Sequence, residues 1–170
     1  MHRLHLLRHA KSSRDEGIDD KERPLSRRGR DDSRRIGETL PTGVGTVDLV
    51  LCSSALRTRE TAELVLAAFK PPPRILYEDA LYLAGAKVLL RRLAQLDESA
   101  GSVLVIAHNP GLHELAILLA APDSPDHRAL AGGKFPTGAR ASLSIDGSWS
   151  AIERSRHRLT AYVTPKSAEP

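Results

Sequence analysis

Apolar residues in this chain gather in short runs, and between the runs lie longer stretches whose apolar positions recur at helical spacing. The runs at residues 3–7, 47–52, 74–77, 102–107 and 139–145 predict strands, with a sixth at 150–153. Several are rich in Val, Ile and Leu without polar alternation, the pattern of strands covered on both faces. Residues 27–40 predict a helix that Ser26 can cap, just after Pro24-Leu25. A second helix is predicted over 55–69, following Ser53-Ser54 and stopped by Pro71-Pro72-Pro73. A third over 86–96 lines up Val88, Leu89, Leu93 and Leu96 on one face, and a fourth over 112–121 lies between Pro110 and Pro122.

Strand and helix in alternation predict an α/β fold, three-layer α/β/α with a mostly parallel central sheet. The runs at 139–145 and 150–153 flank Asp146-Gly147-Ser148 and read as a hairpin, which makes an edge strand antiparallel. Residues 17–23 and 122–134 read as surface loops. The length of 170 residues fits one core, so a single domain is expected over 1–163, with 164–170 a frayed tail.

Composition narrows the classes. With 41% hydrophobic and 27% charged residues the chain is ordinary for a globular protein, and no apolar run approaches the ~20 residues of a membrane helix. Charged residues among the first positions do not make a signal peptide. The lone Cys52 rules out an internal disulfide and fits a cytoplasmic setting. Residues 1–35 hold eleven Lys or Arg against seven Asp or Glu, which accounts for the whole net charge of +4. Nucleic acid fits poorly as a partner, because acids are interleaved and aromatics make up only 4% of the chain. The basic pole suits a solvated rim or the attraction of a phosphorylated substrate. A monomer is the default expectation.

Three predicted strand ends carry matching chemistry. The first ends in Arg8-His9, the second at Cys52 with Arg57 on the following helix, and the fourth in His108-Asn109-Pro110. In a parallel sheet these ends share one edge, where ligands of open α/β folds bind. Two guanidiniums offer planar, permanently charged donors to a phosphoryl group. A neutral imidazole is a competent nucleophile at phosphorus, and adjacent Arg8 and Arg57 favour the neutral form of His9. His108 can donate to a phosphoryl oxygen. With arginines supplying the positive field, no metal or cofactor is expected. A leaving group also needs a proton, and Asp79, or second to it Glu78, lies just beyond the third strand; burial there would raise a carboxyl pKa.

At these residues the chain resembles the histidine phosphatase superfamily, also called phosphoglycerate mutase-like, and within it the small SixA-like phosphohistidine phosphatases. Leu7-Arg8-His9-Ala10-Lys11-Ser12 is similar to the family's Arg-His-Gly signature, with Ala10 in place of glycine. The stretch from Ser53 to Thr61 resembles the segment with the second phosphate-binding arginine, which maps onto Arg57, and Ala107-His108-Asn109-Pro110 resembles the segment with the second histidine. Residues 23–29 and 134–138 also resemble stretches of the small subgroup. The resemblance implies that His9 is the phosphorylated nucleophile and that Arg8, Arg57 and His108 complete the phosphate pocket. Where larger members carry an asparagine six residues beyond the nucleophile, this chain has Asp15, and that role is not transferred. The chain has no long insertion to cap the site, so an open pocket is expected, suited to a phosphorylated protein bearing phosphohistidine. A small phosphate ester is the alternative substrate, and a phosphate-binding module without turnover the alternative class.

Other motifs fail on spacing. Cys52 is followed by four residues before Arg57 and six before Arg59, so neither gives a cysteine phosphatase loop. His113-Glu114 lacks the second histidine of a zinc protease helix. Gly43-Val44-Gly45 precedes a strand, where a dinucleotide fingerprint would follow one.

Overall fold

The computed structural model describes residues 1–166. Its elements in chain order are β1 (His2–Arg8), α1 (Arg27–Val44), β2 (Leu49–Ser53), α2 (Leu56–Val65), β3 (Arg74–Glu78), α3 (Ala86–Ala94), β4 (Ser102–Ala107), α4 (Gly111–Leu119), α5 (His127–Gly132), β5 (Arg140–Ile145) and β6 (Arg158–Val163). They build one six-stranded sheet in the order β3-β2-β4-β1-β5-β6. Strands β3, β2, β4 and β1 are parallel, β5 runs antiparallel to β1, and β6 runs antiparallel to β5 at the edge.

Alternation along the central strands sorts the core into two layers. Leu4, Leu6, Val103 and Val105 face α3, α4 and the Trp149–Arg154 turn, and their cluster includes Leu89, Leu93, Leu112, Leu115 and Trp149. Leu7, Leu104, Ile106, Val50 and Cys52 face the opposite way, onto Leu40 and Val44 of α1 and Ala62 and Val65 of α2. Covering on both faces explains why β4 is buried at every position. No helix among the described residues is long and apolar enough to cross a membrane.

Two close backbone approaches lock the helices that flank the site. Ser26 caps α1, its hydroxyl accepting from the Gly29 amide at 3.1 Å while donating to the Lys11 carbonyl at 3.1 Å. A Cβ at Gly29 would lie 2.0 Å from the Lys11 carbonyl oxygen, so only glycine lets α1 sit against the segment that follows β1. The same holds at Gly111, where a Cβ would lie 2.0 Å from the Ala84 carbonyl oxygen.

Several sequence expectations need correction. Residues 150–153 are not a strand: they lie in a 3-10 helix, Trp149–Arg154, which buries Trp149 and Ile152, and the hairpin partner of β5 is β6. Apolar residues over so short a stretch fit either periodicity, and burial of the Trp149 ring decides the outcome. The loop expected at 122–134 contains α5, organised by buried Leu130, and the loop at 17–23 contains a 3-10 turn, Asp20–Glu22. Helix α1 runs on past Pro41 to Val44, while α2 ends at Val65, before Phe69. Of the tail expected at 164–170, Thr164 and Pro165 are half-buried, and Pro165 packs beside Gly138; residues 167–170 lie outside the described residues.

Candidate active site

The carboxyl ends of β1, β2 and β4 open into one cavity of about 1030 Å³, lined by Arg8, His9, Arg57 and His108 among others. The structure therefore brings together all four residues expected at the strand ends. Parallel register does this directly, since Arg8 pairs with Ala107, which places His9 and His108 one step beyond the same sheet edge. Their rings lie 5.4 Å apart between centroids. Arg57 comes from the first turn of α2, where the Thr58 hydroxyl ties back to the Ser53 and Ala55 carbonyls at 2.7 Å each.

The tautomer of His9 follows from its partner. Its Nδ1 lies 2.7 Å from the Ala10 carbonyl, which can only accept, so Nδ1 carries the proton and Nε2 keeps its lone pair. The residue is 6% exposed. Burial, with lesser contributions from His108, Arg8 and Arg57, pulls its pKa from 6.5 down to about 3, against the opposing pull of the Ala10 carbonyl. His9 is thus a neutral imidazole with its free nitrogen available, which is the state a nucleophile requires.

His108 is tied at both nitrogens. Arg57 Nη2 donates to Nδ1 at 3.4 Å, so Nε2 carries the proton and donates to the Ser53 hydroxyl at 2.7 Å. Burial, then Arg57, lowers its pKa to about 4. In this arrangement His108 has no proton to offer the cavity, so its expected role as donor needs protonation at Nδ1. Arg8 donates to the Phe135 carbonyl at 3.1 Å, and the Asn109 amide donates to the same oxygen at 2.7 Å. Burial and neighbouring Arg57 lower the Arg8 pKa below its ordinary value.

The expected general acid is not where the chemistry needs it. The Asp79 side chain is 83% exposed and pairs with Lys21 at 3.0 Å. The Ser54 hydroxyl and the Lys21 ammonium hold its carboxyl below the usual range, opposite to the rise expected. Glu78 is engaged by Arg92 through two hydrogen bonds, at 2.8 and 2.9 Å. Neither residue lines the cavity, because β3 is the far edge strand and its end is turned toward α3. Cys52 is fully buried with its thiol pKa pushed up to about 12, so it takes no part in chemistry.

The sequence reading gave no role to several residues that the fold brings to this place. Asp20 lines the cavity and meets Arg57, Arg23 and Tyr82, while Asp15 sits exposed at the rim. Lys11, Arg14 and Lys134 also line the opening and form no ion pair among the described residues. Leu83, at φ +52°, presents an exposed side chain at the same opening. Resemblance of residues 23–29 and 134–138 to the small subgroup was the available signal for Arg23 and Lys134. None existed for Tyr82 or Leu83.

Comparison with known proteins agrees with this geometry. Residues 4–81 match the family described as the histidine phosphatase superfamily (branch 1). An uncharacterized protein of Mycobacterium tuberculosis, Rv1276c, is 33% identical over 162 residues, covering 94% of this chain and 100% of that protein. Among solved structures, the chain is similar to a Nakamurella multipartitia protein described as a phosphohistidine phosphatase SixA, at 30% identity over 96% of each chain with TM-score 0.82. It is also similar to the protein histidine phosphatase SixA complexed with tungstate, at 25% identity over 98% of this chain and 99% of that one, with TM-score 0.79.

Proposed function

The chain belongs to the histidine phosphatase superfamily, is SixA-like and is a phosphatase, and we propose that it hydrolyses phosphohistidine in a protein through a covalent phosphohistidine on His9. In the first step His9 Nε2 attacks phosphorus and the P–N bond to the substrate ring breaks. That ring, protonated on its other nitrogen, leaves as neutral imidazole with the bonding pair on the departing nitrogen. In the second step water attacks phospho-His9, loses a proton to solvent, and the pair returns to Nε2 as phosphate departs. His9 keeps its Nδ1 proton on the Ala10 carbonyl throughout. Arg8 and Arg57 hold the equatorial oxygens, so the proposed route draws its positive charge from side chains and needs no metal. His108 joins them once the dianion draws a proton to Nδ1.

The observation that carries the substrate choice is where the carboxyls of the cavity sit and how Asp20 is held. Two line it among the described residues, Asp15 at the exposed rim and Asp20, whose pKa is lowered to about 2 by the Tyr82 hydroxyl and neighbouring arginines. An ionised carboxylate cannot protonate the oxygen of a departing alcohol. A phosphoimidazole brings its own proton and has no such requirement. The opening, with Lys11, Arg14 and Lys134 in no ion pair among the described residues and with the exposed Leu83, supports a protein substrate over a small ester. The lone buried Cys52 is consistent with a cytoplasmic setting.

Rapid-quench labelling with a radiolabelled phosphohistidine protein tests this. Label should appear transiently on the wild-type chain, stable to base and labile to acid, and be absent from His9→Ala. Release of phosphate with no enzyme-bound label would mean direct attack by water. Higher kcat/KM on small phosphate esters than on the phosphoprotein would move the substrate to the small-molecule class.

A further inference from the structure

Arg57 is 2% exposed, and what closes it off is the short turn that carries Asp20. Arg57 Nη1 donates to the Asp20 carbonyl at 2.7 Å and Nη2 to its carboxylate at 3.2 Å. Both terminal nitrogens, the ones that would grip a phosphoryl group bidentately, are therefore engaged by Asp20, and Nη2 reaches His108 as well. The same carboxylate accepts from Arg23 Nε at 3.0 Å and from the Tyr82 hydroxyl. The Tyr82 ring stands edge-on to His108 at 5.5 Å, with the Arg57 guanidinium over its face at 5.9 Å. Asp20 thus occupies the cationic half of the cavity that holds His9 and His108.

The turn itself is lightly held. It buries no residue of its own, and the segment leading into it, from Arg14 to Asp20, is exposed throughout. Its ties are polar: those of Asp20, the Lys21–Asp79 pair at 3.0 Å, and Arg23 reaching the Ser12 hydroxyl and the Ser13 carbonyl. Such a segment opens at small cost compared with any element of the sheet.

We propose that Asp20 is an internal competitor at the phosphate pocket: an anion that holds Arg57 and must give way to the phosphoryl group of the substrate. A monoanion that displaces the carboxylate exchanges one charge for one and gains little, whereas a dianionic phosphoryl group brings a second charge to the same two arginines. Displacing Asp20 costs the same for either, so Asp20 lowers the affinity for every anion by one factor, and the second charge of the dianion is what overcomes it. Asp20 also keeps Arg57 ordered and partly neutralised between turnovers. This inference rests on the phosphate-pocket reading of the site and is independent of which phosphorylated substrate is used.

The test is calorimetric binding of inorganic phosphate at pH 8 and of formate to the full chain, with the His9 and His108 ring signals followed by NMR to locate each ligand. In Asp20→Asn the amide keeps one acceptor oxygen for the turn but loses the charge. Phosphate and formate should then each bind about ten-fold more tightly, with the preference between them unchanged. Tyr82→Phe, which removes one donor to the carboxylate and leaves the turn intact, should shift both affinities in the same direction by a smaller factor. It carries the test if Asp20→Asn does not fold. Unchanged or weaker phosphate binding in either variant overturns the proposal, because Asp20 would then only orient Arg57. Phosphate that binds the wild type without moving the His9 signal overturns the phosphate-pocket reading as well.

Discussion

His9→Asn measures directly whether the fold holds its nucleophile neutral. In the folded protein His9 does not take a proton until about pH 3, while in the unfolded chain it does so near its ordinary 6.5. Between those values the unfolded state binds one more proton, so acid favours unfolding and stability falls as pH drops below 6.5. Each pH step in that window costs ~1.4 kcal/mol, hence ~2 kcal/mol from this one residue at pH 5. Asparagine can place an N–H where Nδ1 donates to the Ala10 carbonyl at 2.7 Å, yet it has no proton to gain. His5 and His108, both lowered to about 4 chiefly by burial, destabilise the wild type and the variant alike and cancel in the comparison. Urea unfolding of both proteins at pH 7.5 and pH 5 reads the difference. The wild type should lose ~2 kcal/mol more than His9→Asn, a midpoint difference of roughly 1 M urea at a typical slope. Equal losses in the two proteins would refute the reasoning, because His9 would then be as protonated folded as unfolded and its Nε2 lone pair already engaged.

Two further outcomes follow from the same geometry. Asp79→Asn, at an exposed carboxylate paired with Lys21, should leave kcat on a phosphohistidine protein within about two-fold; a loss of the ~100-fold typical of a missing general acid would restore Asp79 to that role. Gly29→Ala places a methyl 2.0 Å from the Lys11 carbonyl oxygen, two residues beyond the nucleophile, and should cost ~1–3 kcal/mol in thermal unfolding together with a lower kcat. A variant that melts and turns over like the wild type would contradict that close approach.

Much of the site was legible because it is built from strand ends. Apolar runs without alternation fix buried parallel strands, and parallel strands have no choice but to deliver their carboxyl ends to one edge. Once residues 3–7, 47–52 and 102–107 are parallel strands, Arg8, His9, Arg57 and His108 share one sheet edge, and the order β2-β4-β1 makes them neighbours. Local pattern misleads where it is short or silent. Residues 150–153 fit either periodicity, and only the burial of Trp149 and Ile152 against the sheet made them a 3-10 turn. Asp79 stood in the right place by chain order, but the edge position of β3 turned it to solvent beside Lys21. The pairing of Asp20 with Arg57, 37 residues on, and with Tyr82, 62 residues on, has no periodicity to announce it. The sequence alone thus determined the layers, the strand ends and the four convergent cations and imidazoles, because short-range sterics and burial period decide those. Only the tertiary structure decided which nitrogen of His9 is free, which carboxylates face the pocket and which anion occupies its arginine. Those depend on distances between loops that only the packed core sets.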